Sequence, residues 1–160
     1  MANLFKKNQP PVSSLLKSEL YDEKTFYNQF ISDLKNCTSE VIIESPFITS
    51  SRMKILFPVL ANLAANGVKI FIITRNPMEH DGRYAIQSEL EIQRFEHSGI
   101  QVLLCDGNHH RKLAILDRVI LYEGSLNILS QTKSREIMRR IPEEQVVLQT
   151  FNFLGFDKKF

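Results

Sequence analysis

In NHHRKLAILDRVILYEGSLNIL, Asn108–Leu129, two apolar runs flank Asp117-Arg118, and reactive polar residues stand at both outer ends. A two-residue connection between apolar runs predicts a β-hairpin; Asp suits the first turn position, while Arg118 stands where Gly would be easier. Counting outward from that turn, Leu116 faces Val119, Ala114 faces Leu121, Lys112 faces Glu123 and His110 faces Ser125. Side chains alternate with a period of two, so His110, Lys112, Ser125 and Asn127 are expected on one face and Asp117 on the other. Glu123 falls on the same face as Lys112 by this count, unless a bulge at Gly124 turns it away. Such a hairpin gathers imidazole, ammonium, hydroxyl and carboxamide at one sheet edge. A phosphodiester fits that set, with Lys112 and Asn127 on its non-bridging oxygens while His110 attacks phosphorus.

Upstream of the hairpin, strands and helices alternate. EVIIESPFI (40–48), VKIFIITRN (68–76) and IQVLLCD (100–106) are short apolar runs that read as buried strands. Between and before them, 25–37 carries Phe26, Phe30, Ile31 and Leu34 at helical spacing, and 52–67 and 83–99 read as helices closed by Gly67 and Gly99. Pro58 is expected to bend the second of these or to mark its late start. The alternation predicts parallel strands joined by right-handed crossovers. Downstream, EIMRRI (136–141) reads as another strand and EEQVVLQTFNFLGF (143–156) as a terminal helix packing Val146, Val147, Phe151 and Phe153 or Leu154. The expected fold is α/β, a mixed β-sheet flanked by helices on both faces. Residues 1–22, with Pro10, Pro11 and a Ser pair, read as an irregular arm, and 23–160 as a single domain.

At 160 residues, 43% hydrophobic and 24% charged, the composition suits one core and argues against disorder or a fibrous repeat. A net charge of +2, from 20 Lys and Arg against 18 Asp and Glu, is too small to imply nucleic acid by itself. One cluster, KSREIMRR, holds Lys133, Arg135, Arg139 and Arg140 against Glu136; alone it would be a solvated basic face. Cys37 and Cys105 lie in apolar segments without metal-ligand spacing and read as reduced core thiols. The first residues lack a signal-peptide run, and no stretch approaches the ~20 apolar residues that span a bilayer. A cytoplasmic chain without stable membrane association is the expectation.

Taken alone, His-x-Lys is ordinary surface and GSLN an ordinary turn or cap. Together, His110-x-Lys112-x4-Asp117-x6-Gly124-Ser125-x-Asn127 resembles the complete HKD signature of the phospholipase D superfamily. The element order from about residue 23 onward is also similar to that fold. The resemblance implies that His110 is a nucleophile forming a phosphohistidine, that Lys112 and Asn127 bind phosphate, and that Ser125 shapes the cradle. It implies an acidic residue beyond GSxN that orients the histidine, here Glu136, and no metal or other cofactor. Asp117 and Gly124 would be structural members of the motif.

The same resemblance implies a second motif histidine that protonates the leaving oxygen. Neither His80, in HDG, nor His97, in HSG, has a Lys two residues later, so a homodimer pairing two copies of His110 is expected. His109 would point away as a rim residue, the alternative being that it contacts the leaving group. Single-motif chains of this size resemble bacterial endonucleases, whereas lipid-cleaving members carry both motifs in longer chains. The expectation is therefore a metal-independent nuclease acting on nucleic acid, DNA ahead of RNA, with Lys133, Arg135 and Arg140 contacting substrate. The alternatives are a phospholipid phosphodiesterase or phosphatidyl transferase, and a nucleic-acid-binding module without turnover.

Overall fold

The structure is a computed structural model that describes residues 17–160. Strands β2 (Glu40–Glu44), β3 (Lys69–Arg75) and β4 (Gln101–Cys105) run parallel, and the helices α2 (Ser50–Ala65) and α3 (Gly82–His97) connect them. Ahead of them lies α1 (Phe26–Lys35), whose Phe26, Phe30 and Leu34 recur every four residues and are completely buried. Antiparallel to β2 runs β5 (Leu113–Leu116), followed outward by β6 (Ile120–Gly124), β7 (Ile137–Ile141) and β1 (Glu19–Asp22). The result is one mixed seven-stranded sheet in the order β1-β7-β6-β5-β2-β3-β4.

The central strands β2, β3 and β5 are largely apolar because both of their faces are covered. Val41, Ile43, Ile70, Ile72, Ala114, Leu116 and Tyr122 pack toward α1, α2 and α3. Their neighbours Ile42, Phe71, Ile73, Ile115, Leu121 and Ile141 pack toward α4 (Glu144–Phe153). Val147 and Phe151 of α4 are buried as expected and Val146 packs beside them; of the pair Phe153 and Leu154 it is Leu154 that packs on the core while Phe153 is exposed, and Phe156, in the turn that follows, is buried as well. At α2 the late start does not occur: the helix begins at Ser50 and runs through Pro58. The ring lies on an exposed stretch beside Lys54, so water can serve the carbonyl it leaves unpaired.

Two expectations about the sheet are corrected. Residues 1–16 of the expected arm lie outside the described residues, but Glu19–Asp22 pairs with β7 as an edge strand, so the boundary at 22 cuts through the sheet. The hairpin register is also shifted by one. Asp117 and Arg118 both take left-handed backbone (φ 48° and 56°) and the Val119 N–H donates to Leu116 O at 3.0 Å, as a two-residue turn requires. Val119 then enters as an extra residue, so Leu116 pairs with Ile120, Ala114 with Tyr122 and Leu113 with Glu123. Lys112 therefore lies across from Gly124, whose N–H reaches Lys112 O at 3.4 Å, and Glu123 moves to a position opposite Leu113.

Long-range contacts explain why this turn accepts two non-glycine residues at positive φ. The Asp117 carboxylate accepts the backbone N–H groups of Thr38, Ser39 and Glu40 at 2.9, 2.9 and 2.8 Å, and Arg118 forks onto Glu40 at 2.9 and 3.1 Å. Burial pushes the Asp117 carboxyl up, but these donors outweigh it and hold it below the usual carboxylate range. Asp117→Ala is expected to cost about 3 kcal/mol, because three charge-assisted bonds go and three N–H groups lose their acceptor. The sign with pH follows from the depressed value: the stabilisation is complete above the ordinary Asp pKa and fades as pH falls through the folded-state value. Thermal melts should show a gap between wild type and variant at pH 7 that narrows below about pH 4; a pH-independent gap would overturn this account.

Candidate active site

Beyond the ends of β5 and β6 the chain opens into a cavity of about 850 Å³, lined by His110, Lys112, Ser125, Asn127, Glu136 and Arg139 among others. Strict alternation along the hairpin is not what unites them. The ladder stops at Leu113 and Gly124, and the short segments just outside it converge. Lys112 Nζ donates to His110 O at 2.7 Å and lies 2.8 Å from His110 Nδ1, so the ammonium is folded over the imidazole. Burial lowers the Lys112 pKa, and the negative Glu136 opposes that shift.

The GSLN segment is stitched to β7. Ser125 N–H donates to Ile137 O at 2.9 Å, and Ser125 Oγ accepts the Ile137 N–H at 3.1 Å. Gly124 is required by closeness: a Cβ there would meet Ile137 O, Met138 Sδ at 2.8 Å and Met138 Cα at 2.9 Å. Past Ser125, Leu129 is anchored through its N–H to Ser45 Oγ (3.1 Å) and its carbonyl to the Thr49 N–H (3.0 Å). This fixes Asn127, whose Oδ1 is buried without a hydrogen-bond partner among the described residues.

The histidine-bearing loop is held from behind. Glu79 accepts the N–H groups of Gly107 (2.7 Å) and Asn108 (3.2 Å), while Arg75 bonds Glu79 (2.8 Å) and Asn108 Oδ1 (2.9 Å). The Gly107 bond leads the forces that hold the Glu79 carboxyl below its usual range. Deeper lies Glu44, completely buried at the end of β2, which takes Arg111 in a two-point contact at 2.9 and 2.7 Å. His109 is no exposed rim residue: its side chain is 8% exposed and its Nε2 sits 4.0 Å from Glu44 Oε1. Burial depresses the His109 pKa, against the pull of Glu44.

The basic segment divides sharply. Lys133 and Arg135 are exposed and absent from the cavity lining. Arg140 is a correction: it is bound to Asp33 at 2.6 and 3.3 Å and to Glu19 at 3.3 Å, and Asp33 also accepts the Tyr122 hydroxyl. Adjacent strand residues face opposite ways, so only one of Arg139 and Arg140 can reach the cavity. Arg139 does so, and Arg140 goes to the α1 side with its cross-strand neighbour Tyr122. Glu136 lines the cavity but makes no hydrogen bond to His110 among the described residues; its own N–H donates to Glu23 at 3.1 Å. Glu44 and Arg139 were missed in sequence; the only signal for Glu44 was a lone acid closing an apolar strand.

Among the described residues no three His, Cys, Asp or Glu side chains are grouped to hold a metal ion, and no helix is long and apolar enough to cross a membrane. The family model described as cardiolipin synthase, PLD-like domain, matches residues 30–152, the whole of the cavity's motif included. The chain belongs to the phospholipase D superfamily. Within this superfamily, NucT from Helicobacter pylori shares the fold with a TM-score of 0.71, at 19% identity over 86% of this chain and 92% of that one. The phospholipase D family member Nuc from Salmonella typhimurium gives 0.69, at 18% identity over 85% and 90%. A phosphatidylserine synthase from Haemophilus influenzae Rd KW20 gives 0.59, at 18% identity over 83% of this chain and 36% of that one. A search of curated proteins returns no match. At these identities the likeness is one of fold: a PLD-like phosphodiesterase scaffold with a mixed seven-stranded sheet.

Proposed function

We propose that this PLD-like phosphodiesterase cleaves nucleic acid, DNA ahead of RNA, without a metal and through a phosphohistidine, as a homodimer. The observation that carries the reading is the single cavity into which His110, Lys112, Ser125, Asn127 and Glu136 all project from ladder ends. Its support from comparison is that the two nucleases match over nearly their whole length.

In this reading a His110 ring nitrogen attacks phosphorus, an N–P bond forms, and the P–O bond to the departing strand breaks. The leaving oxygen takes a proton from the imidazole of a second copy. Water then attacks phosphorus, gives a proton to that second imidazole, and releases His110 as the N–P bond breaks. Lys112 and the Asn127 amide hold the non-bridging oxygens, where charge accumulates; the ammonium now over His110 moves onto the entering phosphate. Ser125 keeps the cradle in shape, and Glu136 orients the imidazole once Lys112 has moved.

The sequence holds one His-x-Lys pair, and in this reading a second copy supplies the acid. Leu20 and Ile137, both on the cavity rim, are 56% and 52% exposed and form the apolar surface that a second copy would cover. The test is cleavage of end-labelled single-stranded and duplex DNA and RNA in EDTA, with sedimentation of the same sample. Metal-free cleavage of a polynucleotide by a dimer is expected. Headgroup release from phosphatidyl lipids without polynucleotide cleavage would replace the reading with the lipid one, and tight binding with no turnover would make the protein a binding module.

A further inference from the structure

The cations around the cavity are nearly all committed. Arg111 is taken by Glu44, Lys112 lies on His110, and Arg140 is tied to Asp33 and Glu19. Arg139 lines the cavity and has no carboxylate within ion-pair distance among the described residues. Among the described residues one of its five N–H donors is used, by Nη1 on Ser18 Oγ at 2.6 Å. That bond draws the guanidinium across β7 toward β1, beside Leu20. Glu123 pairs directly with Arg139 across the strands, yet the two make no ion pair. The arrangement leaves an arginine fork, half-buried and steadied by a hydroxyl, facing a cavity far larger than one phosphodiester needs.

We propose that Arg139 is a second phosphate-binding position, which takes the phosphodiester next to the one His110 attacks in a nucleic-acid backbone. The proposal rests on the nuclease reading and deepens it, since a neighbouring phosphate exists in a polynucleotide and not in a simple diester. A guanidinium suits this task because its planar donors meet two phosphate oxygens at once. Glu123, on the same face, opposes the incoming charge and so keeps binding at this position weak enough for product to leave.

The experiment compares wild type, Arg139→Gln, Arg139→Lys and Glu123→Gln on an oligonucleotide and on bis(p-nitrophenyl) phosphate, a diester without neighbouring phosphates. Arg139→Gln is expected to lose about tenfold more kcat/KM on the oligonucleotide than on the small diester. The slope of log kcat/KM against log salt should become shallower by about one. Arg139→Lys should keep the salt slope with an intermediate KM, and Glu123→Gln should lower KM for the oligonucleotide. Equal losses on both substrates, or an unchanged salt slope, would overturn the assignment and leave Arg139 a support for β1. Wild-type turnover of the small diester but not of the oligonucleotide would also overturn it. No wild-type turnover of either would instead sink the nuclease reading itself.

Discussion

Replacing His110 with alanine is expected to lower metal-free phosphodiester cleavage by at least about 10,000-fold, the scale on which enzymes lose a covalent nucleophile. The loss should come without unfolding. His110 is exposed, and its side-chain hydrogen-bonding partner is Lys112 Nζ, so truncation leaves no void in the core and no orphaned donor beyond an ammonium that water can reach. A melting temperature within about 2 °C of wild type should therefore accompany the loss. Wild-type-level cleavage by the variant would remove His110 from the chemistry.

A comparably large effect, on stability rather than rate, is expected at Gly124. An alanine methyl there would run into the backbone carbonyl of Ile137 and the Cα of Met138, neither of which can rotate away. Strand β7 would have to separate from β6, which strains the two Ser125–Ile137 bonds and lifts Met138 and Ile141 from the two cores. Gly124→Ala should cost more than about 3 kcal/mol, lowering the melting temperature by roughly 6–12 °C for a chain of this size. Because Arg139 and Ile137 ride on β7, activity should fall even where the variant remains folded. A melting temperature within 2 °C of wild type, measured by calorimetry, would show that the strands have slack that the backbone distances do not.

Much of the fold was legible because local rules and tertiary demands agree. The apolar runs at 40–48, 68–76 and 100–106 contain the strands Glu40–Glu44, Lys69–Arg75 and Gln101–Cys105, and the Phe26, Phe30, Leu34 spacing is a helix. The one-residue shift in the hairpin was not legible, since the turn is secured by Thr38, Ser39 and Glu40, which lie nearly eighty residues away in sequence. That shift moves Glu123 from opposite Lys112 to opposite Leu113, still on the cavity wall. The strand ELYD escaped notice because it is short, polar and largely exposed, and exists only through pairing with β7. For Arg139 and Arg140, charge clustering gives no parity. Only the position of Asp33 on α1 decides which of two adjacent arginines turns inward.

Along the four residues from 109 to 112, the odd positions reach back to the scaffold and the even positions serve the cavity, with Arg111 lining the cavity wall as well. His109 and Arg111 attend the buried Glu44, while His110 and Lys112 meet whatever enters. Stability and reactivity are thus written on alternate letters of one short word. A lineage, or a directed-evolution library, can revise one without erasing the other: randomising 110, 112 and the cavity wall samples new leaving groups on an intact frame. Swapping Glu44 and Arg111 together for an apolar pair tests the frame's tolerance with the reactive groups left in place.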